Sequence, residues 1–192
     1  TELAAVLTMS AVRNNDRVGA LLFTDRVEHF VPPRKGRRHA LRILRDVLVH
    51  EPKGTGTDTP LALDFLRGLL KQHAIIFLIS DLQDPGLERS LKLLGQRHDL
   101  VVATLDDPSE TTLPDIGMAR FVDPESGETL DVDTSDPAVR SAYDQLSTAE
   151  RDARRAMLRR LAIDEIPIST AGGYIEPLLR FFRARERRAA RG

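Results

Sequence analysis

The feature that most constrains this chain is the run Ile75-Ile-Phe-Leu-Ile-Ser-Asp81. It is almost wholly apolar, rich in β-branched residues, and stops abruptly at two small polar side chains. A run of this length and composition predicts a strand buried on both faces, as in a parallel sheet covered by helices. Ligands of such sheets bind beyond the carboxyl ends of the strands, where Ser80 and Asp81 fall. Asp81 is therefore the first candidate for chemistry. The competing role for it is a plain cap on the helix that follows Pro85.

Composition removes several function classes. Lys plus Arg (28) nearly balance Asp plus Glu (29) over 192 residues. No global field therefore draws the chain to nucleic acid, and no nucleic-acid partner is expected. Cysteine is absent, which excludes disulfides, thiolate metal sites and cysteine nucleophiles together. No apolar run approaches the ~18 residues of a membrane span, and no signal peptide opens the chain. These features lead to the expectation of a cytoplasmic protein without a membrane span. The five histidines, His29, His39, His50, His73 and His98, have no metal-ligand spacing. No nucleophile elbow, dinucleotide fingerprint or His-Glu-x-x-His motif occurs.

Before the central run, Leu3 to Val12 carry helical spacing closed by Asn14-Asn15-Asp16. Val18–Phe23 predicts a buried strand, Thr24-Asp25-Arg26 a tight turn, and Val27–Val31 an edge strand stopped by Pro32 and Pro33. The cations of Arg34-Lys-Gly-Arg-Arg38 lead into a helix whose apolar face reads as Leu41, Leu44 and Leu48; exposed helix entries of this kind are usually only solvated. Gly54-Thr-Gly-Thr-Asp-Thr-Pro60 is a small polar loop entering a helix with a stripe of Leu63, Leu66, Leu69 and Leu70. Its hydroxyls suit a hard cation such as Mg²⁺; the plainer role is a helix cap by Thr57 or Thr59. It lacks the Gly-Lys-Ser/Thr ending of a P-loop.

After the central run, Leu87–Leu94 reads as a helix and Leu100–Leu105 as a buried strand ending at Asp106-Asp107. That pair suits either acid–base work or a simple turn. Met118–Val122 and Thr129–Val132 form a hairpin. Pro137–Leu161 is a long helix, Ile166–Ile168 a last strand, and Tyr174 to about Arg188 a closing helix whose Phe181 and Phe182 are expected on the sheet.

In combination, the stretches 16–25, 32–39, 54–58, Leu-Ile-Ser-Asp (78–81) and Arg-His-Asp-Leu-Val (97–101) resemble one bacterial family. It is a domain-of-unknown-function group with a von Willebrand factor A-like domain, often encoded beside MoxR-type AAA+ ATPases. The resemblance covers most of residues 1–125, and Gly-Gly-Tyr-Ile near the C-terminus extends it. It implies an α/β fold of three layers with a mostly parallel, Rossmann-like sheet between helices, lacking the usual first central strand. It also implies one domain over 1–192, truncated at the N-terminus, with a hairpin and a helical C-terminal part from about 114. In such domains a metal-ion-dependent adhesion site uses an Asp-x-Ser-x-Ser loop, a Thr and an Asp. By resemblance Thr57 matches the Thr and Asp81 the Asp, while the first loop is missing from this sequence. Two ligands leave Mg²⁺ under-coordinated, so Mg²⁺ binding is expected to be weak or absent unless Asp58 or Asp25 substitutes.

The implied function is a non-enzymatic protein–protein interaction module, with a MoxR-type AAA+ ATPase as the partner to expect. The alternative is a Mg²⁺-dependent phosphate-handling or hydrolytic enzyme using Gly54–Thr59 and Asp81. Without the central strand, the strands 18–23 and 75–80 are expected to close on each other or to accept a strand from a partner or a second copy. Leu41, Leu44, Leu66, Leu69, Ile76 and Leu78 are expected in the core.

Overall fold

A computed structural model describes residues 2–108, 112–122 and 127–190. The chain divides into two compact units. One runs to Leu69 and includes Asp84–Leu87; the other takes Leu70–Gln83 and continues from Glu88.

The first unit opens with α1 (Glu2–Arg13), closed where Asn15 takes a left-handed φ of 57°, a conformation that asparagine tolerates. Strands β1 (Val18–Phe23) and β2 (Val27–Arg34) form an antiparallel hairpin. The expected stop at Pro32 and Pro33 does not occur. β2 runs through both prolines, because it pairs only with β1 among the described residues and an edge strand does not need their missing N–H groups. The register shifts between Val18 and Ala20, and β2 comes so close there that a Cβ on Gly19 would meet the Val31 carbonyl at 2.7 Å.

Helix α2 (Arg37–Val49) packs on α1 and β1, but not on its expected face. Ala40 and Ile43 are buried, while Leu41 is 50% and Leu48 68% exposed. Helix α3 (Thr59–Leu69) likewise buries Thr59, Ala62 and Leu63, leaving Leu66 half-buried and Leu69 exposed. In α2 the neighbours select the stripe with smaller side chains; in α3 the expected stripe is buried at Leu63 and rises toward solvent by Leu69.

The second unit holds a parallel sheet in the order β3-β4-β7, made of β3 (Ile75–Ser80), β4 (Asp99–Asp106) and β7 (Asp164–Ser169). Helix α4 (Leu87–Gly95) precedes β4. A separate hairpin follows from β5 (Met118–Val122) and β6 (Thr129–Asp133); the expected turn between them falls largely on 123–126, outside the described residues. Helices α5 (Pro137–Arg160) and α6 (Ile175–Ala189) pack against β7, and Asp136 caps α5 by accepting from Ala138 N at 2.8 Å.

The strand buried as the central run was expected to be is β4, whose Val101, Val102, Ala103 and Thr104 are inaccessible. β3 has one strand neighbour among the described residues, and of its side chains only Leu78 is buried. Ile76 is half-buried, as is Leu44. The expected pairing of β1 with β3 is not formed among the described residues, where the two strands belong to separate sheets. No helix of the described residues is long and apolar enough to cross a membrane.

Candidate functional site

In the first unit the site is the loop that carries Thr57. Its base is clamped by Glu28, a strand residue whose side chain is 3% exposed. One Glu28 oxygen accepts from Gly54 N (2.9 Å), Lys53 N (3.0 Å) and Thr24 Oγ1 (2.8 Å). The Thr24 hydroxyl, followed by the Gly54 amide, holds this carboxyl below its usual range. Gly54 is required by space: a Cβ there would collide with Asp25 Oδ1 and Thr24 Oγ1. Asp58 N donates to the Thr24 carbonyl at 2.9 Å, so the loop is tied at both ends to the β1–β2 turn.

The helix cap expected from Thr57 or Thr59 comes instead from Asp58, whose Oδ1 accepts from Leu61 N at 2.8 Å. Thr59 is buried and gives its hydroxyl to Asp84 Oδ2 at 2.5 Å. Thr57 itself is exposed. Two amides that a phosphate cradle would use, those of Lys53 and Gly54, already donate to Glu28. Behind the clamp, His50 Nε2 lies 3.9 Å from Glu28 Oε2, and its ring stacks on His29, which bonds Asp46 at 3.2 Å.

In the second unit, β3, β4 and β7 end at Ser80–Asp81, Asp106 and Ser169. Ser80 Oγ accepts from Leu82 N at 3.0 Å, and Leu82 sits at φ 61°, a left-handed conformation that an apolar γ-branched residue seldom adopts. This kink turns the chain just past Asp81. Arg154, from α5, joins two of the strand ends: its Nη2 donates to Asp106 Oδ1 at 2.5 Å and its Nη1 to the Asp81 carbonyl at 3.2 Å. Its side chain is 13% exposed, and its buried Nε has no hydrogen-bond partner among the described residues. Asp106 is therefore an ion-pair partner. The Asp81 side chain is exposed and makes no hydrogen bond among the described residues; it does not cap α4.

Thr57 and Asp81 thus belong to different compact units. Among the described residues no group of three or more His, Asp or Glu side chains is arranged to hold a metal. The proposed substitutes are occupied as well: Asp25 takes a two-pronged contact from Arg26 at 2.8 and 2.9 Å, and Asp58 caps α3. A hard dication prefers six or more oxygens; the Asp25 and Asp58 side chains already hold Arg26 and the Leu61 amide.

Sequence reasoning missed Glu28 and Arg154. A lone acid at the second position of a strand is a signal for Glu28. Nothing in α5 distinguishes Arg154 from its neighbouring arginines.

The geometry defines an α/β protein whose parallel sheet ends in an exposed carboxylate on a kinked turn. The chain belongs to the family described as protein of unknown function DUF58, whose model matches residues 1–153. It is 28% identical over 192 residues to an uncharacterised protein of Mycobacterium tuberculosis, covering 98% of this chain and 60% of that protein. The chain thus spans about three-fifths of the length of that relative. An uncharacterised Mycobacterium avium protein is 28% identical over 165 residues, covering 84% of this chain and 97% of its own length. Among solved structures, an aerotolerance-related membrane protein from Bacteroides fragilis has a similar fold, with a TM-score of 0.52 and 16% identity over 88% of this chain and 81% of that one.

Proposed function

We propose that the chain is a non-enzymatic, von Willebrand A-like interaction module that meets a protein partner through the face carrying Asp81, with a MoxR-type AAA+ ATPase as the partner. The observation that carries this reading is the Asp81 carboxylate. It is exposed at the carboxyl edge of a parallel sheet, on a backbone held by Arg154 and kinked at Leu82, and it bonds nothing within the described residues. A charged group fixed in position and left without an internal partner has the character of a contact residue. The fold likeness to the Bacteroides fragilis protein is in keeping with this reading. Mg²⁺ has no assigned role, because Thr57 and Asp81 alone do not make a site for it.

The test is binding of the MoxR-type ATPase from the same genome to immobilised chain. Asp81→Ala is expected to weaken binding at least tenfold while Asp64→Ala, an exposed control on α3, leaves it unchanged. Equal binding by wild type and Asp81→Ala would overturn the reading. Magnesium-dependent phosphate release from a nucleotide, lost in Asp81→Ala, would instead favour the hydrolytic enzyme. Titration calorimetry is expected to show weak Mg²⁺ binding or none.

A further inference from the structure

The outward side of α2 is chemically unlike an ordinary solvated helix face. The seventeen residues from His29 to Arg45 contain six Lys or Arg and no Asp or Glu, in a chain whose formal net charge is −1. Pro32 to Arg38 are all exposed, and Arg34, Lys35, Arg37 and Arg38 have no carboxylate partner among the described residues. At ~100° per residue, Arg37, Arg38, Leu41, Arg45, Leu48 and Val49 fill one arc of the helix. Ala40, Ile43 and Val47 lie opposite, turned to the core. Three of the outward residues are aliphatic and well exposed: Leu41 at 50%, Leu48 at 68% and Val49 at 67%. Arg45 and Arg42 hold Asp46 between them, drawing its carboxyl down to about 2. That neutralises part of the far end of the helix and leaves the entry strap the most positive part of the segment.

We propose that the Pro32–Arg38 strap and the outward face of α2 form a docking surface for an anionic lipid bilayer. Free cations attract an anionic leaflet, and exposed aliphatic side chains on the same arc can enter the boundary between headgroups and acyl chains. Arginine and lysine stems can lie along that boundary while their charged heads reach phosphate. The two signals are needed together, since either alone gives marginal attachment. A nucleic acid would use the cations but gain nothing from Leu41, Leu48 and Val49, and this arc carries no aromatic side chain on which bases stack. An acidic peptide helix would dock in a groove, whereas this face is the convex side of one helix.

The test is co-sedimentation of the chain with vesicles of phosphatidylcholine alone and with added phosphatidylserine. Binding is expected only to the anionic vesicles, and to weaken as salt is raised. Replacing the four strap cations (Arg34→Gln, Lys35→Gln, Arg37→Gln, Arg38→Gln) is expected to lower partitioning at least about a hundredfold, at roughly fivefold per cation. Arg34→Gln with Lys35→Gln, both outside the helix, is expected to give a smaller loss and guards against helix damage, which circular dichroism reports. The chain contains no tryptophan, so Leu48→Trp supplies a single probe whose emission is expected to shift to the blue on anionic vesicles. Equal binding to both vesicle types, no binding, or partitioning unchanged by the Gln substitutions would overturn the proposal. So would an unshifted Leu48→Trp emission accompanied by heparin binding of equal strength, which would identify a general polyanion surface. None of these readouts involves Asp81, so this proposal and the interaction module stand or fall separately.

Discussion

The two edges of the parallel sheet are built from the same strands and finished in opposite ways. At the amino edge, Asp99 opens β4 and Asp164 opens β7. Arg185 of α6 satisfies both, donating to Asp99 at 2.5 and 2.6 Å and to Asp164 at 2.8 Å. Its guanidinium lies 5.1 Å from the Phe181 ring centroid, and Arg188 adds a further contact to Asp164 at 3.2 Å. The two aspartates hold the Arg185 guanidinium above its usual range, Asp99 most strongly. At the carboxyl edge Arg154 reaches one carboxylate and one carbonyl, and among the described residues its own Nε and the Asp81 carboxylate have no hydrogen-bond partner. One edge is completed by the chain itself. The other leaves the Asp81 carboxylate exposed with no hydrogen bond among the described residues, and the proposed partner contact falls there.

The comparison is tested most severely by removing each arginine. Arg185→Met leaves Asp99 and Asp164 without their partner, and hydrogen bonds to charged groups contribute ~1.5–3 kcal/mol. All three side chains are a quarter to a third exposed, so the expected cost in urea unfolding is about 2–3 kcal/mol. Arg154→Met frees one carboxylate and one carbonyl, and also removes a guanidinium that is itself imperfectly satisfied; about 1–2 kcal/mol is expected. A larger loss for Arg154 than for Arg185 would mean that the carboxyl edge is the structural one.

A smaller effect sharpens the amino edge. His98, just before β4, is 5% exposed with neither ring nitrogen hydrogen-bonded among the described residues, and its ring is 6.4 Å from His73. Burial first, then the Arg97 and His73 charges, push it below its ordinary value of 6.5. The unfolded ring therefore takes up a proton at higher pH than the folded one does. His98 contributes stability that is complete above 6.5 and lost as pH falls below it. Unfolding followed from about pH 7 to 5 is expected to show this slope, and His98→Leu to flatten it. An unchanged slope would place the titrating group elsewhere.

What the sequence made legible follows from how local each signal is. The runs of β3 and β4, and the extents of α4 and α5, depend on neighbouring residues and could be read. β4 was legible as a buried strand because both of its faces are apolar. β3 looks the same in sequence, and only its place at the edge of the order β3-β4-β7 explains the exposure of Ile75. In α2, Leu41-Leu44-Leu48 and Ala40-Ile43-Val47 are both helical stripes, and no local rule chooses between them. The site divides in the same way. Asp81 stands out because it ends an apolar run, whereas Arg154 reaches it from seventy-three residues away and Glu28 serves the loop at Gly54 from twenty-six.

The smallest expected effect on stability separates the two edges most cleanly. Asp81→Asn keeps the size of the side chain and removes its charge. Arg154 contacts the backbone carbonyl of Asp81, not its carboxylate, so that link survives the substitution. Surface changes away from caps, cores and ion pairs usually stay within ~0.5 kcal/mol, and the midpoint of urea unfolding is expected to move no further than that allows. Partner binding, by contrast, is expected to fall at least tenfold. A substitution that costs the fold nothing and the complex a great deal is the behaviour of a group held ready for a partner. If Asp81→Asn instead destabilises the chain by more than about 1 kcal/mol, its carboxylate is satisfied from within, and the carboxyl edge is as closed as the amino edge.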